Sequence, residues 1–345
     1  MGIHCEMKLF NPPDGTFVPG ETVSGVIKYA VDRDTAVKRI IVSLKGGGVL
    51  RIRNTQRRQQ NRPNVFYCFE EYVDIDNIIR EDEKGILPFG CYETNFSFTV
   101  PKNLPPSFKY MKHLPHHIVK CKISYFVRIK FEKPGLFKLN KHFRYYITML
   151  SGVTPNLPTV PTVFSKDKNL CRLISSSPRT VKIRANVESC VLAPGTKIEL
   201  NYEVHNNTNL VIKGVETKLI EVHSFKARSS RKIQNFKDVP DTDTKTASIN
   251  SGDHQTMLII MNLPPDIMSV ENSKIVQREY AVKITVDLPM PHFNIVFEIP
   301  VQIGYRTDLI EESAAIPINE LPPPYWAIMG EANGSREDLD SIDNF

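Results

Sequence analysis

Phe17-Val18-Pro19-Gly20-Glu21-Thr22-Val23, running on through Ser24-Gly25-Val26-Ile27-Lys28-Tyr29, reads as a Pro-Gly turn that launches a β-strand. Pro-Gly is one of the strongest local turn signals, and apolar residues alternating with polar ones afterwards carry the period of a half-buried strand. The same device returns at Leu192-Ala193-Pro194-Gly195-Thr196-Lys197-Ile198, 175 residues later, and again opens an alternating run, Glu199-Leu200-Asn201-Tyr202. At the same offset Val37-Lys38-Arg39-Ile40 meets Ile212-Lys213-Gly214-Val215. Leu104-Pro105-Pro106 pairs with Leu263-Pro264-Pro265, and Tyr125-Phe126-Val127-Arg128-Ile129 pairs with Tyr280-Ala281-Val282-Lys283-Ile284. The order is kept while the offset shrinks, as expected of a duplicated strand sequence whose first copy has longer loops around residues 51–95.

Alternation also marks 37–44, 95–100, 123–131, 280–286 and 293–303, and no segment holds a 3.6-residue apolar period for long. With 25 Pro against 17 Gly in 345 residues, a helix bundle is disfavoured, since each interior proline costs a helix about 3 kcal/mol. The expected class is all-β: two tandem Ig-like β-sandwiches, over 1–150 and 178–306. An extended linker is expected at 151–177, which carries Pro155, Pro158, Pro161 and a Ser175-Ser176-Ser177-Pro178 run, and a flexible tail at 307–345. A length of 345 residues suits two domains better than one.

Charge is unevenly spread. Residues 1–150 hold 24 Lys and Arg against 14 Asp and Glu, residues 151–307 hold 19 against 15, and residues 308–345 hold 1 against 9, so the net +6 divides into +10, +4 and −8. A basic front predicts acidic partners, and an acidic end predicts a solvated segment. Apolar runs such as Met257-Leu258-Ile259-Ile260-Met261 fall far short of the roughly 20 residues of a transmembrane helix. Met1-Gly2-Ile3-His4-Cys5-Glu6 has neither the apolar core of a secretory leader nor the Ser or Thr of a myristoylation motif. Six scattered cysteines without a C-x-x-C pair read as reduced thiols of a cytoplasmic protein, and three N-x-S/T triplets carry no meaning there.

No catalytic pattern emerges: G-x-S-x-G, H-E-x-x-H and the phosphate loop G-x-x-x-x-G-K-[ST] are all missing. The expectation is a protein that is not an enzyme and takes no cofactor or metal. Gly46-Gly47-Gly48 has no helix start after it to hold a phosphate and reads as a β-bulge or a site of close approach. His113, His116 and His117 flank Pro115, but with no fourth ligand at finger-like spacing they read as a surface loop. Arg51, Arg53, Arg57, Arg58 and Arg62 fall in a stretch with no acidic residue, and guanidinium groups donate in two-pronged fashion to phosphate. This loop could meet anionic lipid headgroups, phosphorylated peptide or nucleic acid; a merely solvated loop is the plain alternative, and without interleaved aromatics for base stacking nucleic acid ranks last. The most specific motif is Leu321-Pro322-Pro323-Pro324-Tyr325-Trp326. Consecutive prolines hold polyproline II in advance of binding, and Pro322, Pro323, Pro324 and Tyr325 satisfy P-P-x-Y, a ligand pattern of WW domains.

Taken together, these residues resemble the arrestins. Two halves that each open with an apolar residue and Pro-Gly before a strand look like arrestin N and C domains. Ile41-Val42-Ser43-Leu44-Lys45-Gly46, Leu104-Pro105-Pro106-Ser107-Phe108 and Tyr125-Phe126-Val127-Arg128-Ile129 are similar to second-strand, mid-domain and late-strand motifs of the N domain. The resemblance covers residues 5–306, and a P-P-x-Y after the second half makes the chain look like an α-arrestin, or arrestin domain-containing protein. It implies an adaptor that holds membrane cargo, receptors or transporters, while the proline motif recruits a WW-domain HECT ubiquitin ligase. Cargo would then be ubiquitinated, endocytosed and sorted, by a cytoplasmic protein recruited to plasma membrane and endosomes. Relatives often carry two P-P-x-Y motifs and this chain carries one, so avidity for tandem WW domains is not available within it. The competing readings are a ligase-independent trafficking or signalling scaffold, a secreted Ig-like adhesion protein, and a β-sandwich nucleic-acid binder.

Overall fold

The structure, a computed structural model, describes residues 2–12, 14–55, 65–82, 85–135, 140–170, 180–227 and 232–308. All elements among these residues are strands, and Met1–Thr307 make one compact unit. In the first half β1 (Ile3–Asn11), β2 (Thr22–Val31) and β5 (Gly90–Thr99) form one sheet in the order β1-β2-β5. The facing sheet runs β8 (Lys141–Met149), β7 (His117–Glu132), β3 (Arg39–Asn54), β4 (Val65–Glu81), with β6 (Phe108–Leu114) also paired to β7 and Thr16–Phe17 capping β8. Every second side chain along β7, from Val119 to Phe131, is buried, so the period-two pattern read from the sequence becomes a one-sided sheet.

The second half repeats this plan. Its sheets are β9 (Thr162–Asn169), β10 (Thr180–Val187), β11 (Lys197–Asn207), β14 (His254–Asn262), and β16 (Ile295–Ile303), β15 (Val276–Asp287), β12 (Gly214–Lys226), β13 (Lys232–Asp238), each in that order. The two Pro-Gly turns are the same object. Glu21 N–H donates to Val18 O at 3.2 Å and Thr196 N–H to Ala193 O at 3.4 Å, with proline second and glycine third in each turn. Gly20 and Gly195 take φ of 99° and 76°, the left-handed value a type II turn demands of its third residue. The turns are tied in alike, since Val100 N–H donates to Glu21 O and Leu263 N–H to Thr196 O, both at 2.8 Å.

Residues 162–169, inside the stretch expected to be linker, form β9, which pairs with β10 from Thr162↔Val187 to Asn169↔Thr180. Its side chains are mostly exposed and Phe164 alone packs against the core, which is why an edge strand hid behind the prolines that precede it.

The triple glycine lies midway along β3, and the register against β4 shifts between Gly46 and Gly47. A Cβ on Gly46 would lie 2.2 Å from Tyr125 Cδ1; the missing side chain is the space that the fully buried Tyr125 ring fills, its hydroxyl donating to Pro105 O at 2.7 Å. A Cβ on Gly48 would come within 2.6 Å of the Tyr72 hydroxyl and 2.8 Å of Ile275 Cδ1 from the second half. Bulge and close approach are thus both present.

Around Ile275 the halves share a core: Phe225, Ala227, Ile233, Val270 and Val276 join the first half's apolar cluster. Glu70 accepts hydrogen bonds from the Tyr72 hydroxyl at 3.0 Å and from Lys274 N–H at 2.9 Å, and Tyr72 and Ser273 hydroxyls lie 2.8 Å apart. On the other side of the seam Tyr110 of β6 packs on His223 and Phe225 of β12, with ring centroids 4.7 Å apart in both pairs. His223 is 6% exposed, its Nδ1 has no partner among the described residues, and its Nε2 is 3.6 Å from Glu221, which accepts from Arg278 and, at 3.3 Å, from Tyr280. Burial among the aromatic rings holds this imidazole down to about 4, against an opposing pull from Glu221 and with help from Arg278, Lys112 and Lys237.

Two outcomes are expected. Gly46→Ala should lower stability by about 1–3 kcal/mol or more through overpacking against Tyr125, and Gly47→Ala, whose nearest neighbour is 3.1 Å away, by less, as read by thermal midpoint. For His223 the free ring titrates near 6.5 and the docked ring near 4, so its contribution is complete above 6.5 and drains away as pH falls towards 4. The wild type should lose on the order of 2–3 kcal/mol across that window relative to His223→Phe; identical pH profiles would show that the ring does not sense the seam.

Candidate functional site

Arg51 and Arg53 occupy the last outward positions of β3, alternating with Leu50 and Ile52, which are buried. Register fixes their neighbours. Arg53 stands between Ile118 of β7 and Val65 of β4, Arg51 between Lys120 and Tyr67, and Val49 between Lys122 and Phe69. Beyond β7 the three rows continue into His113, Met111 and Lys109 of β6. This patch contains Arg51, Arg53, Lys109, Lys120 and Lys122 and no acidic residue. Tyr67, Phe69 and Met111 interleave with the cations and are 63%, 54% and 59% exposed. A shallow depression of about 170 Å³ lies among Arg51, Arg53, Met111, His113, Ile118 and Lys120.

Farther along the same face the cations are neutralised. Lys45 pairs with Asp74 and, at 2.8 Å, with Asp76; Arg128 reaches Asp76 at 4.0 Å and donates to Ser43 Oγ at 3.3 Å. Partial burial pushes the Asp76 carboxyl up, but Lys45, Ser43 and Arg128 together bring it below its usual range. Lys130 and Arg39 are likewise held by Glu132 and Glu81 at 2.6 and 2.8 Å. Among the described residues no ion pair reaches Arg51, Arg53, Lys109 or Lys120, and Lys122 lies over the Tyr146 ring at 5.6 Å. One end of the sheet face is a solvated ion-pair lattice, and the other is uncompensated positive charge.

Arg57, Arg58 and Arg62 lie outside the described residues, as do Pro322, Pro323, Pro324 and Tyr325. His113, His116 and His117 sit on the hairpin between β6 and β7, and among the described residues no three His, Cys, Asp or Glu side chains come together as a metal ion requires. A depression of about 510 Å³ is an open cleft on the β1-β2-β5 sheet around Cys5, Tyr29, Cys91 and Tyr92. Burial pushes the Cys5 thiol up to about 11 and Cys121 to about 12, the opposite of an activated nucleophile. No helix of the described residues is long and apolar enough to cross a membrane.

Arg51 and Arg53 were visible in the sequence as part of an acid-free run. Lys109, Lys120 and Lys122 were not, because only the pairing of β3, β7 and β6 brings them beside the arginines. Their sole local signal is outward alternation, Lys120-Cys121-Lys122 in β7 and Lys109-Tyr110-Met111 in β6.

Comparison with known proteins agrees with this architecture. The family described as "Arrestin (or S-antigen), N-terminal domain" matches residues 5–156, and "Arrestin (or S-antigen), C-terminal domain" matches residues 177–306. The chain is 21% identical over 315 residues to Arrestin domain-containing protein 17 of Caenorhabditis elegans, covering 85% of this chain and 70% of that protein. It is 22% identical over 315 residues to Thioredoxin-interacting protein of Rattus norvegicus, covering 89% and 75%. The chain belongs to the α-arrestin, or arrestin domain-containing, family. That membership supports a trafficking-adaptor role.

Cys5, Cys68, Cys91, Cys121 and Cys190 are free thiols, and only Cys91 among them is exposed. A thiol reagent at neutral pH should therefore modify Cys91 ahead of the other described cysteines, and Cys121 and Cys190 only after denaturation, as mapped by peptide mass spectrometry; equal native labelling of Cys121 would contradict its burial.

Proposed function

We propose that the protein is a cytoplasmic adaptor that joins membrane cargo, receptors or transporters, to a WW-domain HECT ubiquitin ligase. The observation that carries this reading is a P-P-x-Y sequence, Pro322, Pro323, Pro324 and Tyr325, placed after a tandem pair of arrestin domains. Polyproline II prolines lose little entropy on docking in an aromatic groove, and the tyrosine ring fills the adjoining pocket. The arrestin domains engage cargo, and ubiquitination then directs endocytosis and sorting at plasma membrane and endosomes. Arg51, Arg53, Arg57, Arg58 and Arg62 contact phosphate-bearing groups at that membrane. No cofactor, metal or catalytic residue has a part in this scheme.

Isolated WW domains should capture the full chain, and Tyr325→Ala should abolish capture. Phosphorylation of Tyr325 adds nearly two negative charges where the ring is to be buried, so a phosphorylated tail peptide should bind far more weakly than the plain one. Undiminished capture of Tyr325→Ala would instead support a ligase-independent scaffold.

A further inference from the structure

We propose that the acid-free end of the β6-β7-β3-β4 sheet face is a docking surface for anionic phospholipid bilayers. The proposal rests on the reading of Arg51 and Arg53 as phosphate contacts, extends it to Lys109, Lys120 and Lys122, and does not depend on ligase recruitment.

The shape of the patch selects the partner. Four strands at a spacing of about 4.8 Å and three rows about 6.8 Å apart make a patch roughly 14 Å on each side. Its five cations stand on long stems across that plane and do not line a slot, as a patch facing many mobile headgroups requires. Among the described residues no buried polar side chain stands between these cations to grip a single phosphate, and the depression beside Arg51, Arg53 and Lys120 is only about 170 Å³. A phosphorylated peptide would need such a fixed set of donors; a bilayer does not.

The apolar residues point the same way. Tyr67, Phe69 and Met111 are more than half exposed among the charges, where water solvates them poorly. Tyrosine and phenylalanine are suited to the headgroup boundary, which takes the ring on one side and leaves the charges among phosphates on the other.

The segregation of charge is also local. On the corresponding face of the second half Lys218 is held by Asp238 at 2.8 Å and Glu216 at 3.4 Å, and Lys245 by Asp287 at 3.2 Å. On the first half's own face Lys45 and Arg128 are similarly paired. At the hairpin end of the second half's face Lys226 and Lys232 also have no ion pair among the described residues, so the first half is set apart by five such cations gathered in three rows and not by their mere occurrence.

Flotation of the full chain with phosphatidylcholine vesicles, with and without phosphatidylserine, tests this. Binding should require phosphatidylserine and fall as salt is raised. Arg51→Gln with Lys120→Gln should weaken partitioning about 25-fold, roughly fivefold for each charge. Lys182→Gln with Arg184→Gln, which removes the same charge from the outer face of the second half, should float as wild type. Tyr67→Ser with Phe69→Ser should weaken binding without changing its salt dependence. All these side chains point outward, so unchanged thermal midpoints verify folding. Tyr325→Ala should float normally while losing WW capture, and the charge variant should keep WW capture, which separates this proposal from the ligase reading. Equal flotation with uncharged vesicles, or wild-type flotation of the Arg51/Lys120 variant, would overturn it. So would an acidic phosphorylated peptide that binds this face when phosphatidylserine vesicles do not.

Discussion

Three consecutive residues without side chains in the middle of a long central strand, β3, set the geometry of the whole body. Gly46 leaves the hole into which Tyr125 inserts, so the core of the first half closes around a ring that any larger residue would displace. Gly48, one pleat further on, admits the Tyr72 hydroxyl and Ile275, and through them the second half packs onto the first. Interiors are close-packed, so the empty volume at these positions is filled by specific partners, and core formation and docking of the halves become a single problem. Glycine here weakens the strand locally and is offset by the burial it allows elsewhere.

Much of this plan was legible in the sequence because its signals are local. Pro19-Gly20 and Pro194-Gly195 mark turns by their own backbone preferences, and period-two runs such as 123–131 mark strands without reference to neighbours. The duplication was legible because its turns and strands recur in order. What stayed hidden was edge structure: β9 exposes nearly all its side chains, so it lacks the alternation that betrays a strand. Nor could the sequence say which atoms would fill the room beside Gly46 and Gly48, since Tyr72, Tyr125 and Ile275 are distant in the chain.

The same division applies to the candidate site. A run of arginines without acids is visible as a string of letters, and so is a P-P-x-Y motif, because each acts through contiguous residues. A charged surface is a two-dimensional object. Lys109 and Lys120 reach the neighbourhood of Arg51 only through the pairings Lys120↔Arg51 and Lys122↔Lys109, which are long-range facts of register. Moving the register by one residue would have turned the lysines into the core and Cys121 and Ile123 out to solvent.

The pleat gives this arrangement a mechanical consequence. Alternate residues of β6 serve opposite faces: Phe108 and Tyr110 pack across the seam against His223 and Phe225, while Lys109 and Met111 belong to the basic patch. β4 divides its work in the same way, with Glu70 and Tyr72 bonded to Ser273 and Lys274 and with Tyr67 and Phe69 facing outward. The patch is therefore mounted on strands whose reverse side is the docking contact between the halves.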